Sequence, residues 1–196
     1  MKYVLAFGLL VALPATAQTA ALEPVEVTPF AGYLLGGTFL DYIVPSGIYA
    51  PGLHINDHLT YGLRVGYNAT TSLEPEIQWS HTETSVQGNP APEALSIDFF
   101  IAGLTYNLCS GRFRPYVSGG LGAGLYDGLN HSQLTLFTTS LAVGAKYFFT
   151  PNVGLRLEAR GYASEPGSII QTTCPYSCHN NWIFNGDYTG GVTIAF

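Results

Sequence analysis

Asp187-Tyr188-Thr189-Gly190-Gly191-Val192-Thr193-Ile194-Ala195-Phe196 closes the chain and decides how the rest is read. Tyr188, Gly190, Val192, Ile194 and Phe196 fall on one face of an extended strand. Asp187, Thr189, Gly191, Thr193 and Ala195 fall on the other. That is a period of two, with the apolar set running to the last residue.

The same alternation recurs upstream. Val153, Leu155, Leu157 and Ala159 share a face, opposite Arg156, Glu158 and Arg160. Leu59, Tyr61, Leu63, Val65 and Tyr67 alternate with Thr60, Gly62, Arg64 and Gly66. Leu73, Ile77 and Trp79 alternate with Glu74, Glu76, Gln78 and Ser80. Leu141 to Phe149 carries Lys146 on its polar face, and Val117 to Leu125 fills its second face with Ser118 and glycines.

Short turn signals at 68–71, 109–112 and 150–152 alternate with longer connections at 41–57, 87–93, 128–133 and 164–183. Tight turns on one side and long connections on the other describe an all-β, eight-stranded, antiparallel up-and-down transmembrane barrel. The strands are expected at 26–40, 58–67, 72–86, 94–108, 115–127, 134–149, 153–163 and 184–196. Two places fit poorly. Phe99-Phe100-Ile101 is apolar on both faces, and an inward Asp98 would bring Leu104 and Tyr106 inward too, unless a bulge near Ala102-Gly103 resets the register. Pro29 is tolerated in a strand only near its start or at a bulge.

Composition supports a lipid-facing surface. Charged residues are 10% of the chain, against about 25% in an average soluble domain, and aromatics are 13%. Tyr67, Phe148, Phe149 and Phe196 sit near strand ends, where rings suit a headgroup girdle rather than a soluble barrel's surface. Lys2, the apolar stretch Tyr3–Leu13 and Ala15-Thr16-Ala17 read as a signal peptide at 1–17, leaving a barrel domain at 18–196. Loss of Lys2 takes the formal charge from −6 to −7, which argues against a nucleic-acid partner.

These residues resemble the small eight-stranded outer-membrane β-barrels of Gram-negative bacteria, the OmpA/OmpX/OmpW-like porin family, over essentially all of 24–196. Arg114-Pro115-Tyr116-Val117 followed by Ser118-Gly119-Gly120-Leu121-Gly122-Ala123-Gly124 is similar to a strand-opening stretch common in that group. Tyr188, Val192, Ile194 and Phe196 look like its C-terminal signal for the barrel-assembly machinery. The resemblance implies a multi-pass outer-membrane location, with lipid and the assembly machinery as partners, and a monomer. It does not fix an activity, because the group includes adhesins, anchors, channels and lipid-modifying enzymes.

Four sets of residues are candidates for chemistry. Arg64, Glu74, Glu76, Asp98, Lys146, Arg156, Glu158, Arg160 and Asp187 are expected to face the lumen. An eight-stranded lumen is just wide enough for side chains to fill, so these charges must pair as a plug; an ion path is the sharper alternative. Asp41, Asp57, Glu83, Glu93, Asp127 and Glu165 gather at the long-connection end with His54, His58, His81, His131 and His179, and no Lys or Arg joins them. That rim is either a cation or pH-responsive site or simply where residues that avoid lipid collect, and no ligand spacing lies on one strand. Cys174 and Cys178 share the longest connection and are expected to form a disulfide in an oxidising compartment, out of reach of Cys109. Cys174-Pro175-Tyr176-Ser177-Cys178-His179 has one residue too many for haem attachment, and no cofactor or metal is expected.

The remaining candidates are His131-Ser132, and His81 with Glu83 and Ser80. A serine next to a histidine in a strand points to the opposite face, so an enzyme is not expected. The reading is a barrel with a filled lumen that acts through its external loops in surface interaction or envelope integrity. A narrow channel for ions or small solutes and a lipid A-modifying enzyme are the alternatives.

Overall fold

The computed structural model describes residues 23–39, 42–43, 49–50, 53–87, 93–129, 132–165 and 182–196. Eight long strands make one closed antiparallel barrel. We number them β1 (Val25–Leu35), β2 (His58–Tyr67), β3 (Leu73–Gln87), β4 (Glu93–Asn107), β5 (Phe113–Leu129), β6 (Ser132–Phe148), β7 (Val153–Glu165) and β8 (Ile183–Ala195). Each pairs with its sequence neighbours, and β1 pairs with β8 to close the ring. The short turns β2–β3, β4–β5 and β6–β7 lie at the same end as the chain's final residue, where Phe196 N donates to Val25 O at 2.9 Å.

Alternation decides which way each side chain points. Leu59, Leu141 and Leu157 are 66–75% exposed, whereas Arg64, Lys146 and Arg156 are 0–2% exposed. This is a soluble protein turned inside out: apolar side chains cover the outer wall and polar ones fill the interior. Tyr67, Tyr106, Phe113, Tyr147, Phe149 and Phe196 ring the short-turn end, each more than 40% exposed. Rings there suit the lipid–water boundary.

The strands differ from the expected ranges mainly at their ends. The first stops at Leu35 rather than running to residue 40. Beyond it, Thr38–Phe39 pairs with Leu53–Ile55, and the latter adds onto the end of β3 through Ile55↔Val86. Leu53–Ile55 is thereby held against the barrel mouth, and Ile55 is fully buried. Gly128, near the end of β5, has φ +128°, a conformation that favours glycine, next to where the β5–β6 pairing shifts register between Ser132 and Gln133.

Pro29 sits inside β1 without a bulge. Its ladder with β2 is continuous, and the missing N–H leaves a gap only on the β8 side, where pairing skips from Val27↔Ile194 to Phe30↔Gly191. Thr28 and Thr193 bridge that gap through their hydroxyls at 2.9 Å. No bulge occurs near Ala102-Gly103 either. β4 pairs without interruption with β3 and β5, and its inward residues are Leu95, Ile97, Phe99, Ile101, Thr105 and Asn107. Asp98 therefore points outward with Phe100, Leu104 and Tyr106, which corrects its assignment to the lumen. The strand is apolar on both faces because the lumen itself is apolar at that height.

Candidate functional site: a two-storey lumen

Eight of the nine charges expected inside are there: Arg64, Glu74, Glu76, Lys146, Arg156, Glu158, Arg160 and Asp187 are all buried. Two more join them. Glu26 opens β1 and Arg114 opens β5, at 2% and 7% exposure. Both share strand parity with inward polar neighbours, Thr28 and Ser118, and that was the available signal. The completed set is balanced, with Arg64, Arg114, Lys146, Arg156 and Arg160 against Glu26, Glu74, Glu76, Glu158 and Asp187.

The charges form two linked groups. Near the short turns, Lys146 Nζ reaches Glu26 and Glu74 at 2.6 Å each, and Arg114 Nη1 lies 3.5 Å from Glu26. Asn68 and Asn107 donate to the same two carboxylates. Above them, Glu158 is the hub. Its oxygens accept from Arg64 at 2.9 Å, from Arg156 and Arg160 at 2.8 Å each, and from the Tyr116 hydroxyl at 2.7 Å. Arg156 also forks onto Glu76, whose other neighbour is Arg160 at 3.5 Å. Arg156 Nε donates to the Tyr116 hydroxyl, which thus accepts one bond and donates another. Gly144 lies beneath that phenol, where a Cβ would collide with it. A buried guanidinium with both a carboxylate and neutral acceptors is among the strongest pairings a protein makes.

Toward the long connections the filling changes. Leu34, Ile55, Val86, Leu95, Ile97, Phe99, Ile101, Tyr126, Leu136 and Ile183 form one apolar cluster across the mouth. Phe99 stacks on Tyr162 at 4.2 Å between ring centres and meets Tyr126 edge-on at 6.1 Å. Tyr162 joins the storeys. Its ring packs in the cluster, while its hydroxyl donates to Asp187 at 2.8 Å and accepts from Gln78 at 2.9 Å. Charge alone gives no sign of this storey in the sequence, because its inward residues are apolar like the outer wall.

The rim residues are partly described. Asp57, Glu83, Asp127, His54 and His58 are exposed at the long-connection end, Glu165 and His81 are half-buried, and Glu93 pairs opposite Val86. Asp41, His131 and His179 lie outside the described residues, as do 1–17, Cys174 and Cys178. Among the described residues no three His, Cys, Asp or Glu side chains converge as a metal site. His81 does have a partner: its Nδ1 lies 2.9 Å from Asp98 Oδ1, which also accepts from Trp79 Nε1 at 3.0 Å. No serine hydroxyl bonds to this pair among the described residues, and Ser80 points into the lumen. On β8, Tyr188, Val192, Ile194 and Phe196 all face outward.

A closed eight-strand barrel with an apolar outer wall and a charged interior is a transmembrane β-barrel. The chain belongs to the outer membrane protein beta-barrel domain family, whose model matches residues 4–194. A search of curated protein sequences finds no match. Among solved structures, the fold is similar to Neisserial surface protein A, with 16% identity, TM-score 0.62, and 88% of this chain and 97% of that one covered. It is similar to OprG of Pseudomonas aeruginosa (13%, TM-score 0.55, 89% and 97% covered). It is also similar to Ail, the attachment invasion locus protein of Yersinia pestis, in complex with the heparin analogue sucrose octasulfate (11%, TM-score 0.52, 88% and 99% covered).

Proposed function

We propose that this outer-membrane barrel has a non-conducting lumen and acts through its long connections at the cell surface, in surface interaction or envelope integrity. The observation that carries the reading is the lumen's two-storey filling. Any solute would have to displace a balanced ion network and then an apolar cluster sealed by Ile55. Breaking a buried pair costs about 3–5 kcal/mol, so spontaneous opening is rare. Among the described residues the inward positions are filled at both heights, which weighs against the narrow-channel alternative.

The surface role follows from where the long connections lie. All long connections emerge at one end, and the end they share is acidic. Among the described residues it carries Asp57, Glu83, Asp127 and Glu165 and no Lys or Arg. Of the seven Lys and Arg in the chain, five are sealed in the lumen, and Arg112 lies at the opposite end. Such a mouth favours neutral or cationic partners over polyanions. The heparin analogue held by Ail is therefore a poor guide to a ligand here. The outward face of Tyr188, Val192, Ile194 and Phe196 is free to meet an assembly factor before it meets lipid.

Replacing 166–181 and 44–52 with short Gly-Ser hairpins tests the reading. The barrel should still fold and resist heat in detergent gels, while surface binding or detergent resistance of the producing cells is lost. Full retention of the cellular phenotype by the shortened barrel would place function in the barrel wall instead.

A further inference from the structure

The apolar wall is not equally tall all round. On β7 the outward side chains are apolar or glycine from Val153 to Ala163, ten residue steps. On β3 they are apolar only from Leu73 to Trp79, six steps, before His81 and Glu83 follow. With about 3.3 Å per residue and a tilt near 40°, the two walls rise about 25 Å and about 15 Å. A notch about 10 Å deep is thus cut into the lipid-facing surface of β3 and β4.

The notch is organised. Register places His81 opposite Asp98, with Tyr61 on one flank and Leu125 on the other; the next row is Glu83, Ser96 and Asp127. Asp98 Oδ1 takes hydrogen bonds from Trp79 Nε1 and His81 Nδ1, so both rings and the carboxylate are fixed. Nδ1 faces Asp98 Oδ1, and Nε2, an acceptor whenever the ring's one proton is on Nδ1, lies 3.9 Å from Glu83. Asp98 Oδ2 makes no further hydrogen bond among the described residues. The Tyr61, Trp79 and His81 rings lie 5.4–6.4 Å apart, centre to centre. The notch therefore offers hydrogen-bond acceptors, negative charge and aromatic faces.

We propose that this notch binds the primary ammonium group of a membrane-lipid headgroup. An ammonium brings up to three N–H donors and a positive charge, which match Asp98 Oδ2, Glu83, His81 Nε2 and the Tyr61 and Trp79 rings. A phosphate alone would meet carboxylates and no Lys or Arg. A quaternary ammonium would find the rings but has no N–H for the acceptors. The lipid source follows from location, because a headgroup drawn into the notch covers polar side chains at a height where the opposite wall meets acyl chains. The proposal rests on the chain's being a transmembrane barrel, not on which way its long connections face. In vesicles the notch meets a leaflet in either orientation, so this test and that of the surface role fail separately.

Trp79 is a built-in reporter, since Trp182 is the only other tryptophan. A Trp182→Phe protein would be refolded into phosphatidylcholine vesicles containing phosphatidylethanolamine, with brominated acyl chains placed on one lipid or the other at equal mole fraction. Quenching should report about two- to fivefold enrichment of phosphatidylethanolamine beside Trp79, the range of an exposed hydrogen-bonded ion pair. Glu83→Gln and Asp98→Asn should bring the ratio to parity. The Glu83 side chain is 82% exposed, so that variant folds and decides the matter even if Asp98→Asn does not. Equal quenching by both lipids in the Trp182→Phe protein, or an undiminished preference in Glu83→Gln, would overturn the proposal. Displacement of the lipid by millimolar free ethanolamine would overturn the lipid assignment in favour of a soluble amine.

Discussion

The two storeys of the lumen fill the same narrow space by opposite means. The lower one joins five cations to four glutamates across strands distant in sequence, such as Arg64 with Glu158 and Lys146 with Glu26, while Asp187 is held by the Tyr162 hydroxyl. The upper one packs aliphatic and aromatic side chains and borrows Ile55 from a connection. Ion pairs are exacting: each carboxylate needs its donors, and the loss of one partner leaves a buried charge. Apolar packing is more forgiving, because a truncated side chain leaves a cavity but no unpaired group. The lower storey should therefore fix the barrel's register, and the upper storey should close it.

Five substitutions sharpen or break this comparison. Glu158→Ala strips acceptors from Arg64, Arg156, Arg160 and Tyr116 at once and should cost about 3–5 kcal/mol, read as the urea unfolding midpoint in detergent or vesicles. Glu158→Gln should cost less, since the oxygen of the amide still accepts. Phe99→Ala removes the ring stacked on Tyr162 and should cost about 3 kcal/mol in the same titration. A Phe99 loss larger than the Glu158 loss would reverse the assignment of roles. Arg114→Ala acts at the edge of the network, where Glu26 keeps Lys146 as a partner, and should cost less than the loss of Glu158, about 1–3 kcal/mol. Asp57→Asn at the exposed rim should stay within about 0.5 kcal/mol of wild type and should reduce only binding to cationic partners.

Much of this was legible from alternation. Strand number, the outward apolar face and eight lumen charges follow from a period of two, because a barrel wall separates its two faces completely. Asp98 failed for a definite reason. Charge does not mark an inward position on this strand: the parity of Thr105 and Asn107 puts Asp98 outside. Phe99 and Ile101 hid that parity, being apolar residues on an inward face. Glu26 and Arg114 were readable by the same rule. The partners were not. Which glutamate meets which arginine depends on barrel closure and stagger between strands, and neither leaves a local trace in sequence. The burial of Ile55 likewise depends on a connection folding back over the mouth.

The lipid-facing wall repeats the contrast in another form. Its β7 side is a tall apolar surface with little to recognise, whereas its β3–β4 side is cut down to a hydrogen-bonded His81–Asp98–Trp79 group. Polarity on this wall is as deliberate in placement as the apolar storey is inside it. In both places a break in the simple inside–outside rule marks where the barrel departs from a plain membrane span.

The central claim is that the filled lumen does not conduct. Single-molecule recording of the refolded barrel in a planar lipid bilayer tests it directly, with insertion confirmed by protease protection of the strands. The account predicts insertion without stable unit conductance steps. Reproducible unit steps from the folded, heat-resistant barrel would contradict it.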